Sequence, residues 1–169
     1  MESKAKVLGH PIHPMLTAFP LGLLGMGVIF DLIGVIFDET QLARAAYYMI
    51  AAGILSGLLA AVFGAIDWLA VPSGTRAKKV GLVHGLGNVV IVVIFSIAWL
   101  IRRDAPHDPE NSTIILEVVA LVGALVTGWL GGELVNRLGV GVDPGAHLDA
   151  PNSLSGRSAT EGKPVPARS

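Results

Sequence analysis

Residues 44–71 read RAAYYMIAAGILSGLLAAVFGAIDWLAV, with no charged side chain between Arg44 and Asp67. A run of roughly 20 apolar residues is the length that carries an α-helix through the hydrocarbon of a bilayer. Apolar residues here do not alternate with polar ones, as the strands of a membrane barrel would require. A helix is then the conformation that satisfies every backbone N–H and C=O inside lipid.

Working outward, the same pattern recurs three times, and the spans are placed at 15–37, 44–71, 80–101 and 114–138. The links 38–43, 72–79 and 102–113 are short, which favours antiparallel neighbours. The expected fold is all-α: an integral membrane, up-down bundle of four transmembrane helices over residues 1–142. Residues 143–169 turn to Pro, Ser, Gly and scattered charge, the composition of a disordered polar tail. The first span is too long for a signal-peptide core and no small-residue cleavage site follows it, so it is expected to stay as an anchor.

Composition agrees with a lipid environment. Of the 169 residues 52% are hydrophobic and 15% charged, against about 25% charged in an ordinary soluble domain. The net charge of −1 offers nothing to nucleic acid. With no cysteine, disulfides, thiolate metal sites and cysteine nucleophiles are all excluded. Neither Gly-x-Ser-x-Gly, nor a phosphate-cradling glycine loop after a strand, nor His-Glu-x-x-His is present, so the sequence leans away from an enzyme.

Lys4, Lys6, Arg76, Lys78, Lys79, Arg137, Arg157, Lys163 and Arg168 belong to one side of this topology, and Arg44, Arg102 and Arg103 to the other. The positive-inside rule then places both termini in the cytoplasm, in a multi-pass protein of the cytoplasmic membrane. Small residues at four-residue spacing, Gly53, Gly57, Ala61 and Ala65 in the second span and Gly128 and Gly132 in the fourth, are expected to let helices approach closely. Such faces serve contacts within one bundle or between bundles alike, and the oligomeric state stays open.

Ionisable residues in or beside membrane spans are expensive and therefore informative. His10 and His13 precede the first span, Asp67 and Trp68 end the second, His84 and Asn88 start the third, and Glu133, Asn136 and Arg137 end the fourth. All four helices thus bring polar groups to one end. A His heads each hairpin and an acid closes it, which suggests two like-oriented hairpins related by an axis along the membrane normal, with His13 facing His84. Asp31 and Glu117, with Arg102 and Arg103 nearby, form a smaller group at the other end, where Asp31 pairs with one of the arginines or faces Glu117.

Three readings of the His-bearing end follow. In the first, His13 and His84, with His10 as competitor for His13, hold haem b in the four-helix core, with Arg137 among the cations on the propionate side. In the second, His10, His13, His84 and Asp67 hold a divalent transition metal, or relay protons in a small transporter. Asn88, Trp68, Glu133 and Arg137 support the site in either case. In the third, these residues only anchor and join helices, and the protein is a membrane scaffold or a subunit of a redox complex, with a redox partner protein encoded elsewhere.

Gly9-His-Pro-Ile-His-Pro14, Phe19-Pro20-Leu21-Gly22, Asp67-Trp68, His84, Gly131-Gly132-Glu133-Leu134-Val135 and Gly139-Val140-Gly141-Val142 together resemble the bacterial membrane proteins grouped as domain of unknown function 2231. The likeness spans residues 9–142 and implies four membrane helices in a bacterium, without an established activity. Some relatives look fused to Rieske or cytochrome-like modules, which implies redox company; this chain carries no such module.

Overall fold

The structure is a computed structural model and describes residues 1–161. A two-residue-per-strand hairpin opens the chain, β1 (Lys6–Val7) pairing with β2 (His10–Pro11). Its turn residues Leu8 and Gly9 both have positive φ, 50° and 82°, the geometry that matches the twist of a tight hairpin. Then come α1 (Ile12–Phe37), α2 (Thr40–Ala70), α3 (Arg76–Ile101) and α4 (Asn111–Asn136). All four are long and apolar enough to cross a membrane. The 26 residues of the shortest helices rise about 39 Å, more than the roughly 30 Å of hydrocarbon.

Each helix begins three or four residues before the apolar span read from the sequence, because the first turn is polar or loop-like yet already helical. Local chemistry sets the ends. Asp38 closes α1 in the left-handed conformation and returns its N–H to Gly34. Val71 is extended ahead of Pro72, whose ring disfavours helix in the residue before it, and α2 stops there. The Thr75 side chain accepts from the Lys78 N–H at 3.1 Å and starts α3.

The helices form two hairpins. α1 packs along α2 and α3 along α4, while α2 meets α3 and α1 meets α4 over shorter seams. The apolar core, Leu24, Val28, Ile50, Ile91, Phe95 and Ala120, lies in the half away from the termini. Toward the termini the buried helix positions thin to Ala60, Asp67 and Thr127. Phe19, Leu55, Leu86 and Trp129 are among the large apolar side chains turned outward, as a lipid-facing surface requires.

The small-residue contacts differ from the four-residue stripe. Gly53 packs on Leu24 and Gly64 on His13, but Ala61 and Ala65 are exposed and Gly128 meets nothing. At 3.6 residues per turn a strict spacing of four drifts around the helix, so the contacting positions on α2 are Gly53, Gly57, Ala60 and Gly64 instead.

After α4 the chain folds back along the N-terminus. Met1 donates its amino group to Gly139 O at 2.6 Å and accepts from the Gly141 N–H at 2.8 Å. Gly139 and Gly141 have φ of 62° and 82°, which only glycine adopts without strain. Residues 143–161 are turns around one 3-10 turn, Ser153–Ser155. The rest of the expected tail, 162–169, including Lys163 and Arg168, lies outside the described residues.

Candidate functional site

His13 stands in the first turn of α1 and His84 nine residues into α3, and their rings meet edge to face with centroids 6.4 Å apart. Each ring is tied to the partner helix of its own hairpin. His13 Nδ1 lies 2.8 Å from Ala60 O on α2, and His84 Nδ1 lies 2.8 Å from Thr127 O on α4. A carbonyl oxygen only accepts, so Nδ1 carries a proton in both rings, and in a neutral ring Nε2 then keeps its lone pair. This is the tautomer that a histidine ligating through Nε2 adopts.

Glycines make the approach possible. A Cβ on Gly64 would stand 2.9 Å from the His13 ring, and one on Gly131 3.2 Å from His84 Cε1. Both imidazoles are half-buried between the hairpins.

His84 has an additional neighbour. Asn88 donates to the His84 carbonyl at 2.9 Å, and its Nδ2 lies 3.2 Å from His84 Nε2. Thr127 Oγ1 in turn donates to Asn88 Oδ1 at 2.9 Å. Thr127 thus holds the His84 ring with its carbonyl and Asn88 with its hydroxyl. Ala60, Gly64 and Thr127 were not among the sequence candidates, since a backbone acceptor leaves no trace in side-chain chemistry.

The other candidates lie elsewhere. His10, in β2, is turned away from α1 by the hairpin and reaches Ser153 Oγ at 3.3 Å. Asp67 accepts from Ser3 Oγ at 2.8 Å and from the Lys4 and Ala5 N–H groups at 2.7 and 3.3 Å, so it fastens the N-terminal segment rather than the head of α3. Trp68 clamps the α2–α3 link: its Nε1 donates to Lys78 O at 3.0 Å, and Lys78 Nζ lies 4.0 Å over the ring. Glu133 pairs with Arg76 at 2.7 Å near the surface, where such a pair contributes about 0–1 kcal/mol. Arg137 is exposed beyond α4. Among the described residues no three His, Asp or Glu side chains converge as a set of metal ligands. His10 and Asp67 therefore do not join His13 and His84.

A buried ionic cluster stands at the opposite end. Arg102, which caps α3, clasps Asp31 of α1 through both terminal nitrogens and reaches Glu117 Oε1 of α4 at 3.2 Å. The same guanidinium donates to Ala43 O at 2.8 Å and Pro106 O at 2.9 Å. Asp31 and Glu117 are fully buried and Arg102 is 3% exposed. Of the two arginines open to Asp31 in the sequence, Arg102 is the partner; Arg103 points outward to Asp104.

No curated protein and no solved structure matches the chain. The family described as predicted membrane protein, domain of unknown function 2231, matches residues 9–144. With this four-helix architecture and the matched stretch running from the first hairpin to beyond α4, the chain belongs to the DUF2231 family of predicted membrane proteins.

Proposed function

We propose that this membrane protein is a redox module with a site for one haem b between its two hairpins, which His13 and His84 would hold. The single observation that supports it is the facing imidazole pair. Both Nδ1 atoms are committed to main-chain carbonyls, and the centroids are 6.4 Å apart. The Nε2 side of each ring would then be the side that holds a metal ion, histidine nitrogen being a common protein ligand of haem iron. The absence of cysteine leaves no thioether attachment, hence a non-covalent haem. Bound haem would supply one-electron transfer. The protein's part is to keep both rings in the Nδ1–H form through Ala60 and Thr127 and to seat them against Gly64 and Gly131. Lys79 and Arg137, exposed at the same end, are suited to the propionates and to docking a redox partner protein.

The reading also takes the terminal end as cytoplasmic, in a bacterial inner membrane, on the excess of Lys and Arg there. Because the chain lacks cysteine, single cysteines introduced at Gly74 and at Asp104 test this by labelling in intact cells. Labelling of the second alone is the expected result.

One observation favours a second reading. The Asn88 amide beside His84 Nε2 makes part of the site self-sufficient, as a purely structural interhelical network would be. The deciding experiment is an absorption spectrum, oxidised and dithionite-reduced, of detergent-purified protein from haem-replete cells. A Soret band that shifts on reduction and vanishes in His13→Ala and His84→Ala is expected. A flat spectrum from haem-replete protein overturns the proposal and leaves the structural network.

A further inference from the structure

The cluster at the end opposite the termini holds two carboxylates and one guanidinium, all within the helical bundle. Asp31 faces it from α1, Glu117 from α4 and Arg102 from the end of α3. From α2 it meets the Ala43 carbonyl and the Tyr47 ring, 5.7 Å from the guanidinium. Arg103, the neighbouring cation, is 66% exposed and turned to Asp104. Counted as ions the cluster carries one uncompensated negative charge, and a buried unpaired charge is among the costliest features a fold can hold.

Two further observations point to what supplies the missing positive charge. Among the described residues buried Glu117 Oε2 has no hydrogen-bond partner, although Oε1 of the same carboxylate is bound by Arg102. Thr113 Oγ1, also fully buried, has no partner either. Thr113 and Glu117 are four residues apart on α4 and therefore share one face. A proton on Glu117 Oε2 neutralises the cluster and turns an orphaned acceptor into a donor.

The surface closest to this site is indented. A cleft of about 230 Å³ opens at the same end, lined by Gly34, Asp38, Ala43, His107, Asp108 and Asn111 among others. Ala43 of its wall gives its carbonyl to Arg102, and Pro106, next to His107, gives another. The two aspartates make the mouth attractive to cations.

We propose that Asp31, Arg102 and Glu117 form a proton-binding site in which Glu117 carries one proton, exchanged through the cleft bordered by Asp38 and Asp108. The site is independent of His13 and His84.

The test is infrared spectroscopy of the full-length protein in detergent at neutral pH, following the protonated-carboxyl stretch and its shift in deuterium oxide. The wild-type protein shows one such band. Glu117→Gln abolishes it. Asp31→Asn abolishes it as well, since removing one negative charge leaves Arg102 and an ionised Glu117 in balance. Asp38→Asn, at the cleft mouth, retains it. Absence of the band in wild-type protein, or its persistence in Glu117→Gln, overturns the proposal. A sodium-dependent thermal stabilisation lost in Glu117→Gln, with no carboxyl band, overturns it in favour of a sodium site. If Glu117→Gln fails to fold, Asp31→Asn carries the test: loss of the band supports the proposal and its persistence overturns it.

Discussion

Asp31 and Arg102 stand at equivalent positions of the two hairpins: the interval of 71 residues between them also separates His13 from His84. The second helices match in the same way, at one common spacing, Ala60 with Thr127 and Gly64 with Gly131. At that spacing Ile50 corresponds to Glu117 and Ala46 to Thr113. The repeat therefore keeps its chemistry at the terminal end, where each hairpin contributes a histidine on a carbonyl and a glycine. At the other end it has diverged into opposite charges that meet across the bundle.

Arg102 is the residue on which the opposite end depends. Arg102→Ala leaves Asp31 buried without a counter-charge and Glu117 Oε1 without its donor, and losing one partner of a buried pair costs about 3–5 kcal/mol. Arg103→Ala, at an exposed position, changes stability little. Thermal unfolding of the two variants in detergent should separate them clearly, and equal melting temperatures would refute this account of the cluster.

The histidine seats make a graded prediction. Gly64→Ala brings a Cβ to 2.9 Å from the His13 ring and Gly131→Ala one to 3.2 Å from His84. Overpacking of this kind costs about 1–3 kcal/mol, with Gly64 the more sensitive. Gly85→Ala, which meets nothing within 4 Å, should leave stability unchanged or slightly raised. Melting curves of the three variants give the order.

Close approach of α1 and α2 rests on Gly53. A Cβ there would lie 2.6 Å from Leu24 Cδ2 and 3.3 Å from the Leu24 backbone nitrogen, so repacking a side chain does not relieve it. Gly53→Ala is expected to lower stability by about 1–3 kcal/mol, and Gly128→Ala to be silent. A silent Gly53→Ala would mean that the hairpin is looser than this packing requires.

Asp67 holds the N-terminal segment. In Asp67→Ala the Lys4 and Ala5 N–H groups and the Ser3 hydroxyl lose their acceptor, at about 1–3 kcal/mol for the buried donors. Hydrogen–deuterium exchange should rise at residues 3–7 while the centres of α1 and α2 stay protected. Unchanged exchange there would remove Asp67 from this role.

The four helices were legible in the sequence because bilayer thickness imposes a length on each apolar run and lipid forbids any other backbone conformation. The convergence of polar residues at the terminal end was legible too, since helix order alone decides which ends meet. The internal repeat also foretold that His13 faces His84, but not which of the other residues touch. His10 and His13 stand three apart and looked like one unit, until a turn at Leu8 and Gly9 sent His10 to the tail. Asp67 and Glu133 seemed equivalent, but one binds the N-terminal backbone and the other a surface arginine. The choice of Arg102 over Arg103 for Asp31 depended on the rotation of α3 about its axis. Sequence determined the spans, their number and the end at which each polar residue lies, because hydropathy and rise per residue are properties of a single helix. Tertiary structure alone decided the carbonyl partners of His13 and His84, the Gly64 and Gly131 seats and the closing of Arg102 on both Asp31 and Glu117. Those depend on how two helices rotate and approach, which is set by side chains far apart in the chain.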